Sequence, residues 1–367
     1  MPAAIRTNLL SWTALVPLAG VVLLALTWGR DLGAFLVALV AVALAGSVLA
    51  AVHHAEVVAH RVGEPFGSLV LAVAVTVIEV ALIVTLMVSG GQETSTLARD
   101  TVFAAAMITV NGIIGLSLMV GALRYGTTEF NSEGSGAALA TVATLATVCL
   151  VLPTFTTSQP GPEFSDSQLI FVAVASLALY GMFVSTQTVR HRDFFLPVDA
   201  NGGGVLEEDE HASPPSGRRA LLSLGLLMVA LVAVVGLAKI DSPAIEAGVE
   251  AVGFPPSFVG VVIALLVLLP ETIAAVRAAL RRRLQISLNL GYGSAMASIG
   301  LTIPTIAVAS IWLDGPLTLG LGSTQLVLLA LTVVVSVLTV VPGRATRMQG
   351  GVHLVLLAAF VFLAVNP

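Results

Sequence analysis

Residues Leu69–Val88 read LVLAVAVTVIEVALIVTLMV, nineteen uncharged residues around one carboxylate, Glu79. At about 1.5 Å per residue, twenty helical residues cover about 30 Å, the hydrocarbon thickness of a bilayer. Apart from Glu79 and two threonines the stretch is apolar on every side. It has no solvated face and reads as a membrane span with an ionisable group near its middle.

Comparable stretches recur along the whole chain. Expected spans fall at 11–28, 32–53, 66–90, 99–123, 136–155, 167–188, 220–239, 257–277, 286–311, 322–341 and 351–365, eleven in all. The 367 residues are 57% hydrophobic and only 10% charged. A soluble domain carries about 25% charge, so the soluble class is excluded. The ten-residue alternating segments of a β-barrel are missing. The fold class is an all-α integral membrane protein whose partner is the lipid bilayer, with no nucleic acid expected. Span 1 follows Arg6 with no small-residue cleavage site after it, so it reads as a retained span. The lone Cys149 excludes an intramolecular disulfide and argues against a cysteine metal site.

Charge sets the expected orientation. With the N-terminus cytoplasmic, that side holds Arg6, Arg61, Arg124, Arg190, Arg192, Arg218, Arg219, Arg277, Arg281, Arg282, Arg283, Arg344 and Arg347. Only Arg30, Arg99 and Lys239 fall on the other side. The positive-inside rule therefore predicts N-terminus in and C-terminus out.

The connection 189–219 contains Asn201–Gly204, the acidic run Glu207–Glu210 and Pro214-Pro215, the composition of a flexible linker. It divides the chain into an extra first span (1–30), a five-span segment (31–188), the acidic cytoplasmic linker (189–219) and a second five-span segment (220–367). Five spans per segment place the two in opposite orientations, as an inverted repeat requires. An echo supports the repeat. Gly63-Glu-Pro-Phe66 opens span 3 and Phe254-Pro-Pro-Ser-Phe258 opens span 8. Aligned there, Phe66 falls on Phe258, and Glu79 falls on Glu271 within VGVVIALLVLLPETIAAV (Val259–Val276).

A charged residue at the centre of a spanning helix costs about 2.5–3.5 kcal/mol on insertion scales, so it normally faces a cavity or a partner. A protonated glutamate bonding a neighbouring helix is the plain alternative. Two carboxylates at matched positions favour function. In a low-dielectric site the acid form holds protons near neutral pH, and a bound cation favours the carboxylate. Protons and cation compete for the same oxygens, which is the chemistry of antiport. A hard cation wants six to eight oxygens, so further ligands are needed. Pro270 removes a backbone donor beside Glu271 and frees a carbonyl, or simply kinks the helix. Thr109 and Asn111 in span 4, and Asn289, Ser294, Ser298 and Thr302 in span 9, form a second polar layer. Close helix packing is the commoner use of such residues. Of these, Asn111, Ser294 and Ser298 are the candidate cation or proton ligands beside Glu79 and Glu271.

His53, His54, Glu56 and His60 share a helical face at the end of span 2. They read as a candidate vestibule for cations or protons, with a solvated helix end as the plainer reading. Glu64 follows them. Two rival functions remain at this point. A passive cation channel could use the same glutamates, and a membrane-embedded metal-dependent enzyme could use His53, His54 and His60.

The stretch His54–Val84 resembles the first signature region of the Ca2+/cation antiporter superfamily, in its Ca2+/H+ exchanger branch, and most closely the bacterial ChaA-type Ca2+(Na+)/H+ antiporters. Phe254–Arg281 resembles the second signature region. The resemblance covers nearly the whole chain. It implies a bacterial inner-membrane secondary transporter, not an enzyme, without cofactor, that exchanges Ca2+, Na+ or K+ for protons. It puts the essential glutamates on Glu79 and Glu271, the family's asparagine on Asn111, and its Gly-Ser on Gly293 and Ser294. The branch usually writes Gly-Asn-Ala-x-Glu before each carboxylate. Here the stretches are Val75-Thr-Val-Ile-Glu79 and Val267-Leu-Leu-Pro-Glu271, and Ala297 stands where a glutamine is expected. Fewer side-chain oxygens remain, so all three cations stay open.

Overall fold

The computed structural model describes residues 11–30, 32–63, 66–90, 95–197, 215–312 and 316–367. It is built of eleven helices: α1 Trp12–Thr27, α2 Ala34–Val62, α3 Phe66–Gly90, α4 Leu97–Tyr125, α5 Ser132–Phe155, α6 Asp166–Arg190, α7 Gly217–Ala251, α8 Phe258–Leu280, α9 Leu284–Ala309, α10 Ser323–Val340 and α11 Arg347–Val365. Among the described residues nine are long and apolar enough to cross a membrane, and α1 is a shorter apolar helix. Arg6, Glu64 with Pro65, and the linker residues Asn201–Gly204 and Glu207–Glu210 lie outside the described residues.

Every expected span is a helix, and three differ most in extent or continuity. α2 runs nine residues past the expected end at 53, so the whole histidine run is helical. α7 continues through Asp241, Ser242 and Pro243 to Ala251, twelve residues beyond the expected 239. Buried Leu237, Asp241 and Ser242 continue its packed stripe there, and tertiary burial overrides local polarity. α9 breaks at Leu301, between Gly300 and Pro304. Proline is tolerated at that point because it falls in the first turn of the following segment.

The helices form two compact units: residues 1–94 with 211–259, and residues 95–210 with 260–367. The first holds α1, α2, α3 and α7, and the second holds the rest. Compactness therefore groups the helices differently from chain order. A repeat is a relation of sequence and topology, so both divisions can hold for one chain.

In the first unit, His54 ties α2 to α1, its Nε2–H donating to the Thr13 carbonyl at 2.9 Å. At the other end of the unit Lys239 of α7 lies over the Trp28 ring, 5.4 Å from its centre. In the second unit, β1 (Thr128–Glu129) pairs antiparallel with β2 (Arg344–Ala345), joining the α4–α5 and α10–α11 connections. Tyr125 donates to the Leu280 carbonyl at 2.6 Å, and Arg282 lies over its ring. Arg124, Arg281–Arg283 and Arg344 thus gather at one end of this unit. Arg99 sits at the other, paired with Asp100 at 2.7 Å and donating to the Gly320 carbonyl. This is the alternation expected from the basic residues.

Candidate functional site

Glu79 and Glu271 stand thirteen residues past Phe66 and Phe258, the first residues of α3 and α8. Glu79 belongs to the first unit and is 2% exposed. Glu271 belongs to the second and is half-buried. Thr76, one turn before Glu79, is also buried. Pro270 lies inside α8, so the Leu266 carbonyl lacks its usual intrahelical donor. α8 packs on the start of α4 at Gly260, where an added Cβ would lie 2.8 Å from the Thr101 nitrogen. No larger residue fits there without displacing backbone.

Asn111, Ser294 and Ser298 all belong to the second unit. Asn111 is fully buried in a π-helical stretch, Ile108–Ile113, inside α4. Such one-turn widenings are rare and frequent at functional sites. α9 meets α4 at Gly291, where a Cβ would lie 2.7 Å from Ile114 Cγ1 and 3.5 Å from the Thr109 carbonyl oxygen. Ser294 and Ser298 follow at the three- and four-residue steps that share this face. Ser298 is buried and Ser294 half-buried. Asn289 is engaged elsewhere. Its Nδ2 donates to the Phe195 carbonyl at 2.6 Å and its Oδ1 accepts from Gln285 Nε2 at 2.9 Å. Thr109 returns its hydroxyl to the Ala105 carbonyl of its own helix.

A histidine that the sequence reading passed over completes the surroundings of Asn111. His353 of α11 is fully buried, with Nδ1 3.1 Å from Asn111 Oδ1 and Nε2 3.2 Å from Thr339 Oγ1. Asn111 Nδ2 donates to Thr332 Oγ1 at 2.9 Å. The signal was present, because His353 is the sole ionisable residue between 351 and 365.

The vestibule residues divide. His53 and His54 line a cavity of about 100 Å3 with Thr13, Arg219 and Ser223, whereas Glu56 and His60 do not. Among the described residues there is no group of three or more His, Cys, Asp or Glu side chains able to hold a metal ion.

A family model described as "Sodium/calcium exchanger protein" matches residues 32–189 and 222–366. The chain belongs to this family of cation exchangers. It is accordingly a multi-pass membrane protein and a secondary transporter rather than an enzyme. It is 45% identical over 363 residues to a Sinorhizobium fredii protein provisionally named an ionic transporter, covering 97% of this chain and 96% of that one. It is 32% identical over 361 residues to the sodium-potassium/proton antiporter ChaA of Escherichia coli, covering 98% and 97%. Among solved structures, the H+/Ca2+ exchanger CAX superposes with a TM-score of 0.71 at 16% identity, over 98% of this chain and 89% of that chain, a likeness of fold.

Proposed function

We propose that this exchanger is a bacterial inner-membrane antiporter that exports a cytoplasmic cation (Ca2+, Na+ or K+) against entering protons. Glu79 and Glu271 alternate between protonated and cation-bound forms, and two inverted five-helix repeats behind an extra first helix rearrange around them. The reading rests chiefly on one observation: two mid-helix carboxylates stand at the same register in long apolar helices, one of them withdrawn from solvent. The names of the relatives, a sodium-potassium/proton antiporter and an H+/Ca2+ exchanger, support proton-coupled exchange.

Asn111, Ser294 and Ser298 supply further oxygens on the α4 and α9 side, and the Leu266 carbonyl beside Pro270 offers another. His53, His54, Glu56 and His60 form the cytoplasmic approach to α3. The arginine-rich ends face the cytoplasm, which puts the N-terminus inside and the C-terminus outside.

Everted membrane vesicles with an imposed pH gradient test the reading. Addition of Ca2+, Na+ or K+ in turn should collapse the gradient for at least one ion, and uptake of that ion should cease when the gradient is abolished. No collapse by any of the three refutes the antiporter. Ion flux that persists without a gradient identifies a channel.

A further inference from the structure

The Asn111 amide faces His353 through its oxygen. Asn111 Oδ1 can only accept, so the His353 nitrogen facing it at 3.1 Å, Nδ1, carries the proton. Thr332 Oγ1 takes an Asn111 Nδ2–H at 2.9 Å and turns its own hydroxyl toward Met107 Sδ at 3.6 Å. With the single proton of a neutral ring on Nδ1, His353 Nε2 accepts from the Thr339 hydroxyl at 3.2 Å. Asn111, Thr332, Thr339 and His353 are each buried, and the chain crosses from α11 to α4 and α10.

An amide can ligate a hard cation only through its oxygen. An oxygen with two lone pairs can accept one hydrogen bond and still offer the other to an ion. Groups that bond the back of a ligand fix its direction and tune its strength. Gly115 lets α11 approach closely enough for this bond, since a Cβ there would lie 2.8 Å from His353 Cβ.

We propose that His353 is a positioning residue for transport: its Nδ1–H fixes the amide of Asn111 at the π-helical turn of α4, setting the direction of the one atom of Asn111 able to meet a cation. This rests on the antiporter reading and on the role of Asn111 in it. The side chain of Asn places a donor where Nδ1 stands, and that of Gln places one where Nε2 stands. In everted vesicles, His353→Asn should keep an apparent KM for the transported cation near wild type. His353→Gln should raise it about tenfold with a smaller change in maximal rate, the scale usual for a group behind a ligand. Thr339→Val, which removes only the partner of Nε2, should resemble His353→Asn. If the Asn and Gln variants are alike, whether both normal or both equally impaired, the proposal is overturned.

A second measurement does not depend on transport. The 15N spectrum of histidine-labelled wild-type protein, with the His353 signals assigned by their loss in His353→Asn, should show a proton on Nδ1. A ring protonated at Nε2 alone overturns the proposal even if His353→Gln does not fold. Wild-type vesicles without exchange refute the antiporter reading instead, and the tautomer result still stands.

Discussion

α3 and α8 carry the same group at the same register and treat it differently. Each places a glutamate thirteen residues into an apolar helix, yet Glu79 is 2% exposed and Glu271 half-buried. α8 has Pro270 immediately before its glutamate, where α3 has the fully buried Ile78. Depth along a helix is set by the position of the residue in the chain. Access to it is set by what packs around that position. The comparison teaches that equal register does not make two carboxylates equivalent.

The largest expected effect breaks both members. Glu79→Gln and Glu271→Gln each keep shape but lose the charge, and each should abolish ion-dependent collapse of a pH gradient in everted vesicles. If both variants retain full exchange, the assignment of the pair is wrong even if transport stands. Shortening each by one methylene sharpens the comparison. Glu79→Asp should lose more of the maximal rate than Glu271→Asp, because close-packed surroundings tolerate displacement poorly. Equal losses would show that burial does not distinguish the two.

Labelling with a water-soluble carbodiimide and an amine, read by mass spectrometry, should modify Glu271 faster than Glu79, and equal rates would break the asymmetry directly. Pro270→Ala restores an N–H to α8 and removes a helix-interior proline, which in an exposed helix is worth about 3 kcal/mol. We expect a higher melting temperature with a lower exchange rate, and an unchanged rate would assign Pro270 to helix shape alone. The smallest effect is expected at Ser294→Ala, a modest rise in apparent KM against a larger one for the more buried Ser298→Ala. The reverse order would place the face of α9 wrongly.

Asn111 shows how far a sequence carries a site and where it stops. A mid-span amide needs partners, and that much was legible from its neighbours in the chain. The partners are Thr332 and His353, which lie 221 and 242 residues away. No local pattern links them. The π-helical turn that carries Asn111 is equally invisible in the stretch ITVNGI, whose residues would suit an ordinary helix. Asn289 looked similar in the sequence and proved to brace Phe195 and Gln285 instead. The vestibule candidates all lie on α2, and of the four only His53 and His54 line the small cavity beside Arg219.

The sequence by itself determined the membrane class, the number of helices, the register of both glutamates and the gathering of arginines at alternate connections. These follow from local quantities: hydrocarbon thickness, the rise of a helix, and the cost of taking charge out of water. Only the tertiary structure decided how exposed each glutamate is, which polar side chains spend their bonds on one another, and how helices from distant parts of the chain share a compact unit. Those depend on close contacts between residues far apart in the chain, where a single Cβ at Gly115 or Gly260 would exclude the neighbour. Close packing of that kind is a property of the assembled helices, and no one of them carries it alone.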